Sequence, residues 1–191
     1  FNTSLNVQQS RLTSDQEFPY AFGVDRSFGN VLPQLTANYK FSQSGNLRLM
    51  YRTSTNAPSV NQLQNVIDNR NPLFLRTGNP DLSQDFNHSV TVRYGKTNPD
   101  NAASLLLLVS GSLVQDYIIN TSVIAVSDTV VNDIDLTRGT QLSFPVNVDG
   151  YRTGRTLLTY GLPVKFIKSN VNFNTSFDYN RVPTLINGQK N

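Results

Sequence analysis

The chain has 191 residues, of which 38% are hydrophobic and 15% are charged, and its formal net charge is +3. The absence of Cys excludes disulfides and thiolate chemistry, and the single His excludes a multi-His metal centre. The longest apolar run, residues 102–109, contains Ser104 and is far shorter than the about 20 residues that a membrane-spanning helix requires. So small a charge, with no run of Lys or Arg, predicts no nucleic-acid partner.

The polar and aromatic content favours strands over helices. The chain has 23 Asn, 11 Phe and 8 Tyr, together with many Ser and Thr. Asn and Ser side chains compete for backbone hydrogen bonds inside helices, whereas Thr and aromatic residues fit a pleated surface. The composition therefore predicts an all-β fold.

Strict alternation of apolar and polar residues, the pattern of a strand with two different faces, begins at the first residues. It covers residues 1–8, returns over Val31–Ser42, and continues over Asn46–Ser54 after a turn at Ser44 and Gly45. The last two segments predict a hairpin with a tight connection.

A long polar stretch from Asn56 to Asp85 then interrupts the alternation. Within it, only Val60–Val66 predicts a helical turn or two. Connections of this length are uncommon in compact domains and are usually functional or mobile. Alternation resumes over Phe86–Tyr94, and Ser104–Tyr117 predicts a further strand.

The last third of the chain predicts two more strands. Ile118–Arg138 is interpreted as another long connection, and Thr140–Leu162 as one long strand or a strand with a bulge near Gly150. Asn170–Asn180 alternates most regularly of all. The polar tail Leu185–Asn191 is expected to be turn-like and to close no sheet. The prediction is seven strands in total.

The connections between these strands alternate in length. The long ones are predicted at Thr13–Asn30, Asn56–Asp85 and Ile118–Gly139, and the short ones at Gln43–Gly45, Gly95–Ala103 and Pro163–Lys168. In an up-and-down antiparallel sheet, every second connection lies at the same end. All long loops are therefore expected on one side, as in outer-membrane barrels, which have short periplasmic turns and longer extracellular loops.

The two faces of the predicted strands also suit a barrel wall. One face is apolar, as lipid requires, and the aromatic residues near segment ends are placed as the girdles of such barrels are. The other face is too polar for a core and suits a wet lumen. Its polar residues are Asn38, Lys40, Asn46, Arg48, Arg52, Asn87, Arg93, Asn172, Asn174 and Asp178. The alternative is a soluble antiparallel sandwich, whose strands alternate as well.

Few residues suggest chemistry. The segment Gly78-Asn79-Pro80-Asp81 is interpreted as a structural turn rather than a ligand or metal loop. Asp128, Asp133 and Asp135 lack calcium-loop spacing and predict a solvated acidic loop. His88 is expected at a wall or girdle position, and no nucleophile motif accompanies it. We predict no catalytic residue, no metal site, no cofactor and no enzyme activity.

Three cations on the polar face, Arg48, Arg52 and Arg93, are the candidate lumen-facing residues. In a lumen they would pair with carboxylates or line a path for an anionic or sugar substrate. The alternative interpretation is that they are wall residues that are solvated or paired with Asp.

Several motifs resemble the barrel region of TonB-dependent outer-membrane receptors, in particular the Bacteroidetes-type outer-membrane β-barrel family. They are the run Arg48–Gln64, Asn71-Pro72, Gly78-Asn79-Pro80-Asp81-Leu82, and Pro145–Gly150 followed by Tyr151 and Gly154. The resemblance implies a location in the bacterial outer membrane, a barrel of 22 strands with a plug inside it, and energy coupling through TonB. It also implies outer-membrane lipid and a nutrient substrate as partners, with a surface lipoprotein as an optional one.

We therefore expect residues 1–191 to be a fragment of an outer-membrane β-barrel domain without a plug domain, since the chain starts at Phe1 inside an alternating segment. The expected function is nutrient uptake. Loops around Phe18–Phe28, Asn56–Asp85 and Ile118–Arg138 would capture the substrate. The alternative function is that of a soluble all-β adhesion or carbohydrate-binding domain.

Overall fold

The computed structural model describes residues 1–17 and 22–190, which form three sheets and two short helical turns. The elements before the chain midpoint are β1 (Asn2–Gln16), β2 (Phe22–Ser42), β3 (Gly45–Asn56), α1 (Val60–Leu63), β4 (Phe74–Arg76) and β5 (Asp85–Thr97). Those that follow are β6 (Ser104–Gln115), β7 (Tyr117–Ile124), β8 (Thr129–Val131), β9 (Ile134–Leu136), β10 (Gln141–Val148), β11 (Tyr151–Val164), η1 (Lys165–Ile167), β12 (Ser169–Arg181), β13 (Leu185–Ile186) and β14 (Gln189–Lys190).

Seven long strands form the main sheet, in the order β1-β2-β3-β5-β6-β11-β12, and all neighbours are antiparallel. This confirms the predicted all-β, up-and-down sheet. Among the described residues, the outer edges of β1 and β12 have no partner strand, so the sheet is open.

The register of the main sheet separates an apolar face from a polar face, because directly opposed residues point to the same side. Leu35 lies opposite Tyr51, which lies opposite Val90 on the next strand. One residue along, Gln34, Arg52 and Ser89 occupy the other side. Nothing in the described chain packs the apolar face into a core, and Phe177 on it is 69% exposed. The sheet is therefore not half of a sandwich.

The first predicted long connection, Thr13–Asn30, is wrong. β1 and β2 stay paired from Asn2↔Thr36 to Gln16↔Phe22, so most of that segment belongs to a long hairpin. Polar and charged residues such as Asp25 obscured the alternation there, yet Asp25 stays in the ladder beside Arg11, whose Nε donates to its Oδ1 at 2.8 Å.

The predicted single strand Thr140–Leu162 is also wrong, because it is two strands in different sheets. β10 ends at Val148, and β11 begins at Tyr151 in the main sheet. Gly150 has φ 112, so it forms a turn between sheets rather than a bulge within one strand.

A second sheet, which we call the cap sheet, has the order β14-β13-β7-β10-β4. The predicted connection Ile118–Arg138 supplies most of β7 together with the β8–β9 hairpin, and β4 comes from the earlier polar stretch. The tail does not remain unpaired as expected: Ile186 pairs with Ser122, and Thr121 Oγ1 donates to the Leu185 carbonyl at 2.8 Å. The predicted long connections Asn56–Asp85 and Ile118–Gly139 thus both contain strands.

The buried apolar residues concentrate around the cap sheet. Leu142, which is fully buried, packs with Ala125, Ile134 and Leu136. A second cluster joins Leu63 of α1 and Leu82 to Val24 of β2. No helix among the described residues is long and apolar enough to cross a membrane. The cap therefore has its own core, while the main sheet is held mainly by strand pairing.

We expect Leu142→Ala to destabilise the cap by about 3 kcal/mol, because the truncation leaves a cavity where no solvent reaches. Hydrogen exchange of the β7 and β10 amides measures the change. Val130→Ala is the control, since Val130 is 61% exposed and should lose less than about 0.5 kcal/mol. Equal protection in both variants would contradict a buried cap core.

Candidate ligand-facing surface

The cap lies over the long-connection end of the polar face. We define the cap as residues 57–84, 117–148 and 185–190. Leu63 and Leu82 bury Val24, and Leu12 packs against the same cluster. By register, Val24 and Leu12 belong to the polar face of the main sheet. The polar face is therefore covered near this end by chain from the long connections.

Polar contacts fix the cap to the same face. Asn30 Nδ2 donates to Gln84 Oε1 at 3.0 Å, and the Arg26 guanidinium donates to the Pro80 carbonyl. At the end of the connection, Asp85 Oδ1 accepts from the Asn56 backbone N–H at 2.9 Å, which closes the loop at its base. These contacts hold the end of residues 57–84 against β2, and the Asn56–Asp85 contact joins β3 to β5 at the base of the loop.

The Gly78–Leu82 segment is built as a turn around α1. Gly78 N–H donates to the Gln64 carbonyl at 3.0 Å, and Asn79 N–H donates to the Gln62 carbonyl at 2.6 Å. A Cβ on Gly78 would lie 2.2 Å from the Gln64 carbonyl oxygen, so glycine is required by space. Leu82 then points into the buried cluster.

The remaining polar residues of this segment also make structural contacts. Asn79 Oδ1 accepts from the Asp81 N–H at 2.9 Å, and its Nδ2 donates to the Pro145 carbonyl of β10 at 3.0 Å. Asn147 of β10 accepts from the Ser83 N–H at 2.8 Å and donates to the Ser83 carbonyl at 2.9 Å. The geometry is that of a turn that docks the connection onto the cap sheet.

The helical turn has a sequence-encoded start. Ser59 Oγ accepts from the Gln62 N–H, and the Gln62 side chain accepts from the Ser59 N–H at 2.9 Å, which is a capping box. The helix predicted within Val60–Val66 is thus confirmed at Val60–Leu63.

A cavity of about 830 Å³ opens between α1, β4 and the strands β7 and β10. Its size falls within the range of small-molecule sites. The lining is mostly amide and hydroxyl side chains, with one ion pair and one aromatic ring. It comprises Asn61, Gln62, Asp68, Arg70, Asn71, Phe74, Leu75, Arg76, Thr77, Asn120, Gln141, Ser143 and Pro145. Such a lining would offer a ligand hydrogen bonds and one ring face.

The ion pair of this cavity is bidentate. Arg70 Nε donates to Asp68 Oδ1 at 2.8 Å, and its second guanidinium nitrogen donates to Oδ2 at 2.6 Å. These hydrogen bonds, together with the Arg70 backbone N–H, lower the pKa of Asp68 to about 2. Phe74 lies on the same wall, with 56% of its surface exposed. Sequence inspection missed Asp68, Arg70 and Phe74, because isolated residues in an irregular connection carry no periodic signal.

The three predicted lumen-facing cations all lie on the polar face. Arg48 is directly opposite Arg93, and Arg52 is opposite Ser89. All three are exposed, and no ion-pair partner for them exists in residues 1–17 and 22–190. The Arg48 and Arg93 pair lies toward the short-turn end, far along the strands from the cap cavity. The structure therefore does not bring these cations into one site with it.

His88 lies on the apolar face, where Tyr51 Oη is 2.8 Å from its Nδ1 and Phe86 packs against its ring. Asp128 accepts from the Arg138 N–H at 2.8 Å, and Asp133 has φ 61 in the turn between β8 and β9. Within the described ranges, no three His, Asp or Glu side chains group in a way that would hold a metal ion.

The comparison with known proteins identifies the family of this chain. The model of the outer membrane protein beta-barrel family matches residues 2–191. The chain belongs to this family. It is accordingly a protein of the bacterial outer membrane, and the soluble alternative does not fit that location. The search of curated proteins finds no match.

One solved structure with a similar fold is the hemophore receptor HasR of Serratia marcescens, in complex with its hemophore HasA and heme. The TM-score is 0.57 at 13% sequence identity, which indicates a shared fold. The match covers 95% of this chain and 30% of the HasR chain. The present chain thus spans less than a third of the length of that receptor.

We expect Gly78→Ala to loosen the cap by about 1–3 kcal/mol, because the added Cβ overlaps the Gln64 carbonyl oxygen. Gly29→Ala is the matched control, since a Cβ there meets nothing within 4 Å. Hydrogen exchange over residues 57–84 reports the difference. If both variants kept wild-type protection, the close packing of Gly78 would be disproved.

The Asp68 carboxylate should titrate well below a free carboxyl. Because its folded pKa is lowered from 3.8 to about 2, it stabilises the cap above pH 4 and loses that contribution as the pH falls toward 2. Carboxyl-carbon NMR titration measures this directly, and Asp68→Asn should remove the corresponding pH dependence of cap protection. Titration of Asp68 near pH 4 would show that the Arg70 pair is absent.

Proposed function

We propose that this chain forms part of the wall and the outer cap of a TonB-dependent receptor that takes up a nutrient too large or too scarce for porins. The observation that carries the proposal is the cap cavity of about 830 Å³, held over one end of the polar face. A closed barrel lets a sheet cross lipid, and long loops at one end of such barrels are extracellular. The cavity then lies where a substrate first arrives from outside.

The whole receptor is larger in this proposal. The sheet is one stretch of the wall of a barrel of the Bacteroidetes type, residues 1–191 are a barrel fragment without a plug, and a plug and the TonB complex act through the full-length protein. Arg48, Arg52 and Arg93 then face the lumen and the plug or passing substrate. The shared fold with a hemophore receptor supports a receptor role. The full-length receptor carries out binding and transport, with no catalytic step and no cofactor.

Uptake can be tested without knowing the nutrient. The compounds removed from the growth medium are compared by mass spectrometry between the parent strain, a strain lacking this protein, and a strain lacking TonB. We expect at least one compound to remain in the medium of both deletion strains. A compound that depends on this protein but not on TonB would contradict energy coupling.

The cap is tested in the same assay by variants of the full-length protein. Asp68→Asn with Phe74→Ala removes the ion pair and the ring of the cavity, and we expect uptake at low substrate concentration to fall about tenfold or more. Val130→Ala, which changes an exposed cap residue outside the cavity lining, serves as the control. Wild-type uptake by the double variant would remove the cavity from the proposed pathway, provided that outer-membrane levels of the protein are equal.

A further inference from the structure

The two ends of the main sheet differ in charge. Of the 13 acidic residues, only Asp100 lies at the short-turn end, and all the others lie closer to the long connections or within them. Six cations lie toward the short-turn end. They are Lys40, Arg48, Arg93, Lys96, Lys165 and Lys168. The overall charge is small, but the cations and acidic residues are unevenly distributed, so the short-turn end carries a positive charge.

An exposed feature of this end is the turn between β11 and β12, with the sequence Lys165-Phe166-Ile167-Lys168. Phe166 is 89% exposed and Ile167 is 50% exposed, so two apolar side chains project from the tip. We call these four residues the tip. Neither lysine forms an ion pair within the described parts of the chain.

Hydrogen bonds within the turn hold the tip backbone, so the side chains of the tip remain available to a partner. The Lys168 N–H donates to the Lys165 carbonyl at 3.2 Å, and Ser169 Oγ donates to the Ile167 carbonyl at 3.1 Å. Lys168 has φ 48, in the left-handed region, where the chain reverses into β12. The exposure of Phe166 is thus built into an ordered turn.

Aromatic residues mark the same end of the apolar face. Phe41 and Tyr94 stack with ring centroids 5.5 Å apart, and Tyr39 lies 6.5 Å from Phe41. Tyr rings concentrate at the boundary between hydrocarbon and headgroups, and Lys side chains reach from that level to the aqueous phase. The apolar face, the aromatic rings and the basic tip thus follow one another along the direction of the strands.

We propose that the tip is a docking site for anionic phospholipid headgroups in the leaflet on the short-turn side. Lys165 and Lys168 contact the headgroup phosphates, and Phe166 inserts beside the acyl chains. The argument is charge complementarity: Lys40, Arg48 and Arg93 lie on the polar face, but Lys165 and Lys168 at the tip and Lys96 on the apolar side of β5 face a surface whose charge comes from phosphates. Each Lys near an anionic membrane surface strengthens binding by roughly fivefold.

Lipid binding to the full-length, delipidated protein tests the proposal by native mass spectrometry, with phosphatidylglycerol compared with phosphatidylethanolamine. We expect preferential binding of phosphatidylglycerol, and a loss of about 25-fold in that preference in the Lys165→Gln, Lys168→Gln double variant. The matched control is Arg138→Gln with Arg181→Gln, which removes the same charge at the other end and should keep the preference. An equal loss in both double variants would overturn a specific tip site.

Two further measurements separate a membrane site from a free-phosphate site. Inorganic phosphate should not displace phosphatidylglycerol, because it cannot replace the contact of Phe166 with acyl chains; full displacement would overturn the proposal. Phe166→Trp places a fluorophore at the tip, and its emission is obtained as the difference between the variant and the wild-type full-length protein. In vesicles of phosphatidylethanolamine and phosphatidylglycerol, its emission should shift to the blue and be quenched by brominated acyl chains. Emission typical of water, with no quenching, would also overturn it.

Discussion

The structure depends on the need to pair every backbone N–H and C=O group where the chain meets lipid. Hydrocarbon offers these groups no partner, and each unpaired group costs several kcal/mol. Seven antiparallel strands satisfy the requirement across the width of the sheet, with unbroken registers such as Gly45↔Lys96 to Asn56↔Asp85 between β3 and β5. Within the main sheet, only the outer edges of β1 and β12 remain open among the described residues.

Once strand pairing holds the sheet, its side chains are free to serve two different environments. The sheet needs no core of its own, so apolar residues such as Val90 and Phe177 remain on a surface that lipid covers. Packing into a core occurs instead in the cap, where Leu142 and Leu63 are buried. This division explains how a chain with modest hydrophobic content supports both a membrane wall and an ordered structure above it.

The two ends of the wall then acquire different roles. The amide-rich cap, with its Asp68–Arg70 pair, offers hydrogen bonds to a ligand, whereas the lysine-rich short-turn end offers charge to a phosphate surface. Arg48 opposite Arg93 sets two like charges side by side on the polar face, an arrangement that costs stability unless an anion lies near. The two ends of the wall thus differ in charge as well as in loop length.

The sequence by itself determined the two faces and most of the seven long strands, because alternation with a period of two is local and survives in any single strand. The predicted alternation of connection lengths was wrong at its first connection, since most of Thr13–Asn30 belongs to β1 and β2. The sequence also predicted a turn at Gly78–Leu82 and a helical turn within Val60–Val66. Only the tertiary structure decided that β4, β7, β10 and β13 form a cap sheet, because these short strands are defined by distant partners, as when Ile186 pairs with Ser122. The cavity around Asp68, Arg70 and Phe74 was likewise decided only by the tertiary structure. So was the role of Gly150, whose positive φ separates two strands of different sheets where the sequence pattern predicts one strand.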